Sequence, residues 1–178
     1  MSERTTYNIE EHPNHPFGVS KEKEAQQIIC MANHVSVVLE QGKDNYWKEH
    51  YDFKTSDGLK YEVKANRKSV EYQTLFIETA QCIKKGEDWT SFKPSGLMIA
   101  KADFWMLWHG HVYLKIEQTK LKKLLIQNKS YKRVDDCRPN PTNKTKGVLV
   151  PVKHVLKLSV VYEIKKLFSR FCYKQKSS

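Results

Sequence analysis

The sequence predicts an α/β (α+β) domain: one helix, then a mixed β-sheet with a hairpin in it, and further helices packed on the sheet. Three observations carry this. After Ser20, a plausible N-cap, Ala25, Ile28, Ala32, Val35 and Leu39 recur at steps of three and four. That is one face of a helix of about 20 residues, closed by Gly42. Downstream, residues 47–53, 61–65 and 74–79 show strand-type runs, the first with the two-residue alternation of a half-buried strand. Between the first two lies Thr55-Ser56-Asp57-Gly58, and Asp-Gly is a strong hairpin signal.

The remaining elements follow in chain order. Residues 1–18 are polar, with His12-Pro13 and His15-Pro16, and read as an N-terminal arm. Asn66-Arg67-Lys68-Ser69 is a polar, basic linker, and residues 81–96, with Gly86, Pro94 and Gly96, read as a long loop. Asp103 to Trp108 and His111 to Ile116 flank a Gly110 turn and predict a second hairpin. Trp105 and Trp108 belong to its apolar pattern and are expected in the core. Thr119 caps a short helix, Lys120 to Gln127, with Leu121, Leu124 and Leu125 inward. Residues 128–146 look like a flexible connection. Gly147 to Val152 reads as a strand ending near Pro151, and Val160 to Phe171 as a helix. The expected organisation is an arm (1–18), a core (19–127) and a basic C-terminal extension packed on it (128–178).

Bulk properties narrow the function. A chain of 178 residues suffices for one sizeable core. No apolar run approaches a membrane span, and Met1-Ser2-Glu3-Arg4 does not open a signal peptide. Cys30, Cys82, Cys137 and Cys172 include no CxxC pair, which suits a reducing, cytoplasmic setting. Net charge is +11, unevenly placed: from Gln118 onward the chain carries 16 Lys and Arg against Asp135, Asp136 and Glu163. Such a tail fits a polyanion, because neutralising phosphates releases counterions. Lys120, Lys122, Lys123, Lys132 and Arg133 are its candidate backbone contacts. Arg67, Lys68 and Lys93 are candidates nearer the hairpin.

The candidate chemistry sits on that hairpin. In a strand Glu62 and Lys64 project to one face, and Tyr61 and Val63 to the other. A turn at Asp57-Gly58 brings Asp52 beside Glu62. Two carboxylates and an ammonium then share one small volume, enough to hold a hard divalent cation and place a water against a phosphate. Glu78, ending the apolar run Leu75-Phe76-Ile77, is a further candidate, because a buried acid without a partner is costly. His50 and Gln73 are further substrate-facing candidates. His109 and His111 lack a third ligand nearby in sequence. There is no GxSxG, HExxH or Gly-rich phosphate loop.

Asp52, Glu62 and Lys64 at this spacing resemble the PD-(D/E)XK nuclease superfamily. Leu75 to Glu78, Lys93-Pro94-Ser95-Gly96 and Ala102-Asp103-Phe104-Trp105 are similar to small phage and viral members, so the resemblance spans roughly residues 20 to 127. Tyr51 stands where that family often has proline, a residue that carries no chemistry. The resemblance implies a restriction-endonuclease-like core and a metal-dependent endodeoxyribonuclease. Asp52, Glu62 and the Val63 backbone carbonyl would ligate Mg²⁺, with Mn²⁺ able to substitute. Glu24 on the first helix and Glu78 would be further candidates for the metal. Lys64 would orient or deprotonate the attacking water, and products would carry 5′-phosphate and 3′-hydroxyl ends. DNA is the expected partner. A Holliday-junction resolvase, which would act as a homodimer, and a catalytically inert nucleic-acid-binding protein are the alternatives.

Overall fold

The computed structural model describes residues 15–40, 50–85, 87–136 and 143–165. The first helix, α1 (His15–Asn33), starts earlier than Ser20 and stops earlier than Gly42. Pro16 lies in its first turn, where a missing N–H costs nothing. The helix ends because His34 takes a left-handed φ of 55°. Val35 and Leu39 therefore leave the helix face, and Val37–Glu40 forms strand β1. Its valines are stiff at χ1 and pack well on a pleated surface.

Two sheets follow. The first has the order β1, β2 (Phe53–Thr55), β3 (Lys60–Ala65), β7 (Phe104–His109), β8 (Val112–Glu117), β11 (Val160–Glu163). It is mixed: β3 runs parallel to β7, and the other pairs are antiparallel. The second is built on β4 (Thr74–Lys85), flanked on one side by β5 (Asp88–Trp89) and β6 (Lys93–Pro94). On its other side β10 (Asn143–Pro151) pairs with β4, and β9 (Arg133–Asp136) with β10.

Both predicted hairpins form. At the first, Gly58 has φ of 87° and donates its N–H to the Thr55 carbonyl at 2.8 Å. The Thr55 hydroxyl donates to Asp57 Oδ1 at 2.5 Å. At the second, Gly110 has φ of 66°. The linker expected at 66–69 instead opens a short helix, α2 (Lys68–Tyr72). The Asn66 side chain starts it by accepting the Lys68 N–H at 3.0 Å. The helix over Lys120 to Gln127 is present as α3 (Gln118–Gln127), with Leu121 buried.

Three expectations are corrected. Residues 81–96 are not one long loop, because Asn143–Lys146 of β10 pairs with Ala80–Ile83 and Lys84–Lys85 pairs with Asp88–Trp89 of β5. Residues 128–146 are not wholly a connection, since Arg133–Asp136 pairs with Thr145–Val148; residues 137–142 lie outside the described part. Val160 does not begin a helix; only Ile164 and Lys165 of the expected span are helical, and residues 166–171 lie outside the described part. Val160–Glu163 pairs with Val112–Lys115, and its two valines and Tyr162 suit a strand better than a helix turn. Before it comes a short helix, α4 (Val152–Leu156), burying Val152 and Val155.

The apolar residues sort into two layers. Ala25, Ile28 and Ile29 of α1 pack on Phe53, Tyr61, Val63, Met106 and Tyr113. The opposite face of the first sheet, through Trp105, Leu107, Leu114 and Ile116, meets Leu75, Ile77, Val148 and Val150 of the second. Trp105 is fully buried, as expected, and its indole N–H donates to Gln118 Oε1 at 3.0 Å. The first sheet thus lies between α1 and the second sheet. The class is α+β. No helix among the described residues is long and apolar enough to cross a membrane.

Candidate functional site: an acid pair on the first hairpin

Alternation along β3 places Tyr61 and Val63 against α1, so Glu62 and Lys64 project to the other face. Glu62 lies beside Trp105 in the parallel pairing of β3 with β7. It is buried, at 3% exposure. Lys64 Nζ sits 2.5 Å from Glu62 Oε1 and 5.9 Å from the Trp105 ring centre. The Lys64 side chain keeps 38% of its exposure and forms the open edge of the group.

Asp52 arrives just before β2. The simple alternation expected over residues 47–53 fails here. Tyr51 joins the layer between the sheets, whereas Phe53 joins the layer under α1. His50, with φ of 53°, turns the chain at this point, and its carbonyl accepts the Lys101 N–H at 3.1 Å. Trp47, Lys48 and Glu49 of that expected strand lie outside the described residues. Asp52 is held by two bonds to β3. Its N–H donates to the Tyr61 carbonyl at 2.8 Å, and its Oδ2 accepts the Val63 N–H at 2.6 Å. The carboxyl is thereby fixed across the backbone of Glu62. Val63, expected to contribute its carbonyl, is tied to the acid by its N–H.

Electrostatics mark the pair as unusual. Burial pushes the Asp52 carboxyl well above the ordinary carboxylate range, and the Glu62 charge pushes it further. Lys64 opposes this, Glu22 adds to it, and the Val63 hydrogen bond opposes it weakly. Glu62 Oε2 is enclosed and has no hydrogen-bond partner among the described residues. Enclosed carboxylate oxygens are almost always satisfied, so two acids sharing one ammonium leave an acceptor unanswered.

The other candidates are engaged elsewhere. Glu24 Oε2 takes the Lys21 ammonium at 2.6 Å and the Tyr113 hydroxyl at 3.0 Å. The α1 acid whose charge acts on Asp52 is Glu22, which sequence reasoning passed over. Glu78 lies on β4 and accepts the Ser95 hydroxyl at 2.6 Å. Gln73 closes α2 with a left-handed φ of 51° and donates from Nε2 to the Val70 carbonyl at 2.6 Å. Its role is that of a cap. Burial and the neighbouring His111 lower the pKa of His109, whose Nδ1 lies 3.3 Å from Ser69 Oγ.

The basic candidates are distributed over the fold. Arg67 stacks on Phe17 of α1 at 4.3 Å, and Lys68 lies 6.0 Å from the Tyr72 ring centre. Lys93 is exposed on β6. Lys120, Lys122 and Lys123 belong to α3, where Lys120 pairs with Glu117 at 2.7 Å. Lys132 and Arg133 are exposed at the start of β9.

Among the described residues, no three His, Cys, Asp or Glu side chains gather as a ready metal-binding group. Asp52 and Glu62 form a pair, and a hard cation such as Mg²⁺ commonly takes only one or two protein carboxylates and completes its shell with water. The donor chemistry and the unanswered Oε2 fit such an ion. Compared with family models, curated proteins and solved structures, the chain matches none.

Proposed function

We propose that this chain is a metal-dependent deoxyribonuclease, an endonuclease acting on DNA phosphodiester bonds, with a restriction-endonuclease-like core built from α1, β2, β3 and β7. The observation that carries this reading is the buried Glu62, whose Oε2 has no hydrogen-bond partner among the described residues, with the half-buried Asp52 tied to the neighbouring Val63 N–H. Two acids whose charges act on one another favour a cation beyond the single Lys64 ammonium.

Asp52 and Glu62 would hold Mg²⁺ or Mn²⁺. The ion, when bound, supplies Lewis-acid polarisation of a phosphoryl oxygen and lowers the pKa of a bound water. Lys64 occupies the solvent edge of the group. From there its N–H donors would orient the attacking water and stabilise negative charge as it develops on the phosphate. The burial of Glu62 fixes its carboxylate before substrate arrives, so little reorganisation accompanies the reaction. Fragments ending in 5′-phosphate and 3′-hydroxyl are the products expected from attack on phosphorus with departure of the 3′ oxygen.

The test is conversion of supercoiled plasmid to nicked and linear forms, with Mg²⁺ or Mn²⁺ and with EDTA as the control. A four-way junction run alongside linear duplex reads out a resolvase. Asp52→Asn and Lys64→Ala should abolish cutting while leaving DNA binding largely intact. Cutting by either variant at the parent rate would remove these residues from the chemistry.

A further inference from the structure

We propose that the outer half of β4, with β5 and the first part of β10, forms an arm that binds single-stranded DNA by stacking unpaired bases on Trp89 and Phe92. The inference rests on the reading of the chain as acting on DNA, but it concerns a surface remote in sequence from the acid pair.

Strand register gathers the groups on one face. Lys144 stands opposite Cys82 and Lys146 opposite Ala80, while Trp89 stands opposite Lys84. Positions two apart along a strand share a face, so Lys84, Trp89, Lys144 and Lys146 lie together. Lys144 Nζ is 4.1 Å from the Trp89 ring centre, and Lys146 Nζ is 4.1 Å from that of Phe92. Cys82 on this face is buried at 3% exposure, yet Trp89 and Phe92 keep 37% and 39%. Both rings thus stay more than a third exposed on a lysine-bearing surface, within reach of a ligand.

The chemistry selects a polynucleotide with exposed bases. An ammonium lies over each ring, so a base that stacks there displaces it, and the displaced lysine is then beside the phosphate. Lys144 and Lys146 are two residues apart, about 6.7 Å along a strand, the scale of one stretched nucleotide. A duplex offers only base edges in its grooves and cannot present a base face to Trp89. Acids are present at the flanks: Asp135 lies 3.8 Å from Lys146, and Glu87 and Asp88 are exposed at the β4–β5 turn. None of them covers the two rings in the contacts described.

The experiment is fluorescence anisotropy of a labelled oligothymidylate and of a labelled duplex, using the full chain in EDTA so that nothing is cut. Trp89→Ala and Phe92→Ala should each weaken oligothymidylate binding about tenfold and leave duplex binding unchanged. Lys144→Gln with Lys146→Gln should reduce the slope of log affinity against log salt by about 1.4. If Trp89→Ala fails to fold for want of cover over Cys82, Phe92→Ala and the lysine pair decide the matter. Parent-like oligothymidylate binding by these variants, or equal loss on both DNA forms, overturns the arm. Cleavage is scored separately with Mg²⁺. Ring-dependent binding without any cutting would refute the nuclease reading and leave the arm standing. Cutting together with parent-like binding by the variants would refute the arm alone.

Discussion

The Val63 N–H donates to Asp52 Oδ2 at 2.6 Å, and this bond fixes one acid over the backbone of the other. An asparagine in place of Asp52 keeps the acceptor and removes the charge. The sign of the pH effect follows from the raised Asp52 pKa. A carboxyl whose folded pKa lies above its unfolded value, about 3.9, contributes stability that is full below that value. The contribution is lost as pH rises through the folded pKa. Asp52→Asn should therefore be more stable than the parent at neutral pH and should lose less stability between about pH 4 and pH 8. Urea unfolding in EDTA across that range checks this; parallel curves for the two proteins would remove Asp52 from the titration.

A divalent cation bound by the pair should stabilise the fold. At a hundredfold excess over its dissociation constant, the gain is about 2.7 kcal/mol. The melting temperature of the parent should rise with Mg²⁺ or Mn²⁺, and that of Glu62→Gln should not. An identical rise in both proteins would place the ion elsewhere.

Lys64→Ala strips the Glu62 carboxylate of its only described ion-pair partner. An enclosed charge stripped of its ion-pair partner costs about 3–5 kcal/mol, less here because the Lys64 side chain is 38% exposed. Adding Glu62→Gln to Lys64→Ala should recover part of the loss, because no charge then remains stranded. A double-mutant cycle in urea measures both steps. Additive losses would mean that the two side chains are not coupled.

Gly96→Ala should be costly away from the site. Gly96 has φ of 52°, and an added Cβ would lie 2.6 Å from the Glu78 carbonyl oxygen. Strain of this kind costs about 1–3 kcal/mol, read as a lower midpoint of unfolding. The Ser95–Glu78 bond next to it would be disturbed as well. A midpoint equal to that of the parent would show that the turn relaxes freely.

Lys122 and Lys123 of α3 test the basic third of the chain. Their replacement by alanine should weaken duplex binding and lower its salt slope by about 1.8 if both touch phosphates. An unchanged slope would take α3 out of the interface.

The local pattern by itself determined the hairpin and the side-chain parity on β3. Asp57-Gly58 dictates a tight turn, and strand geometry obliges Glu62 and Lys64 to share a face. Tertiary structure decided the rest. Val160–Glu163 pairs because the edge of β8 is open to it, and β4 runs on to Ile83 because β10 returns from far along the chain. Such partners are invisible to a window of neighbouring residues. Glu24 is engaged by Lys21 and by Tyr113 of β8, a strand far along the chain, and the enclosure of Glu62 depends on the layer between two sheets. Burial and long-range pairing are properties of the assembled chain, since each requires surfaces contributed by segments far apart in sequence.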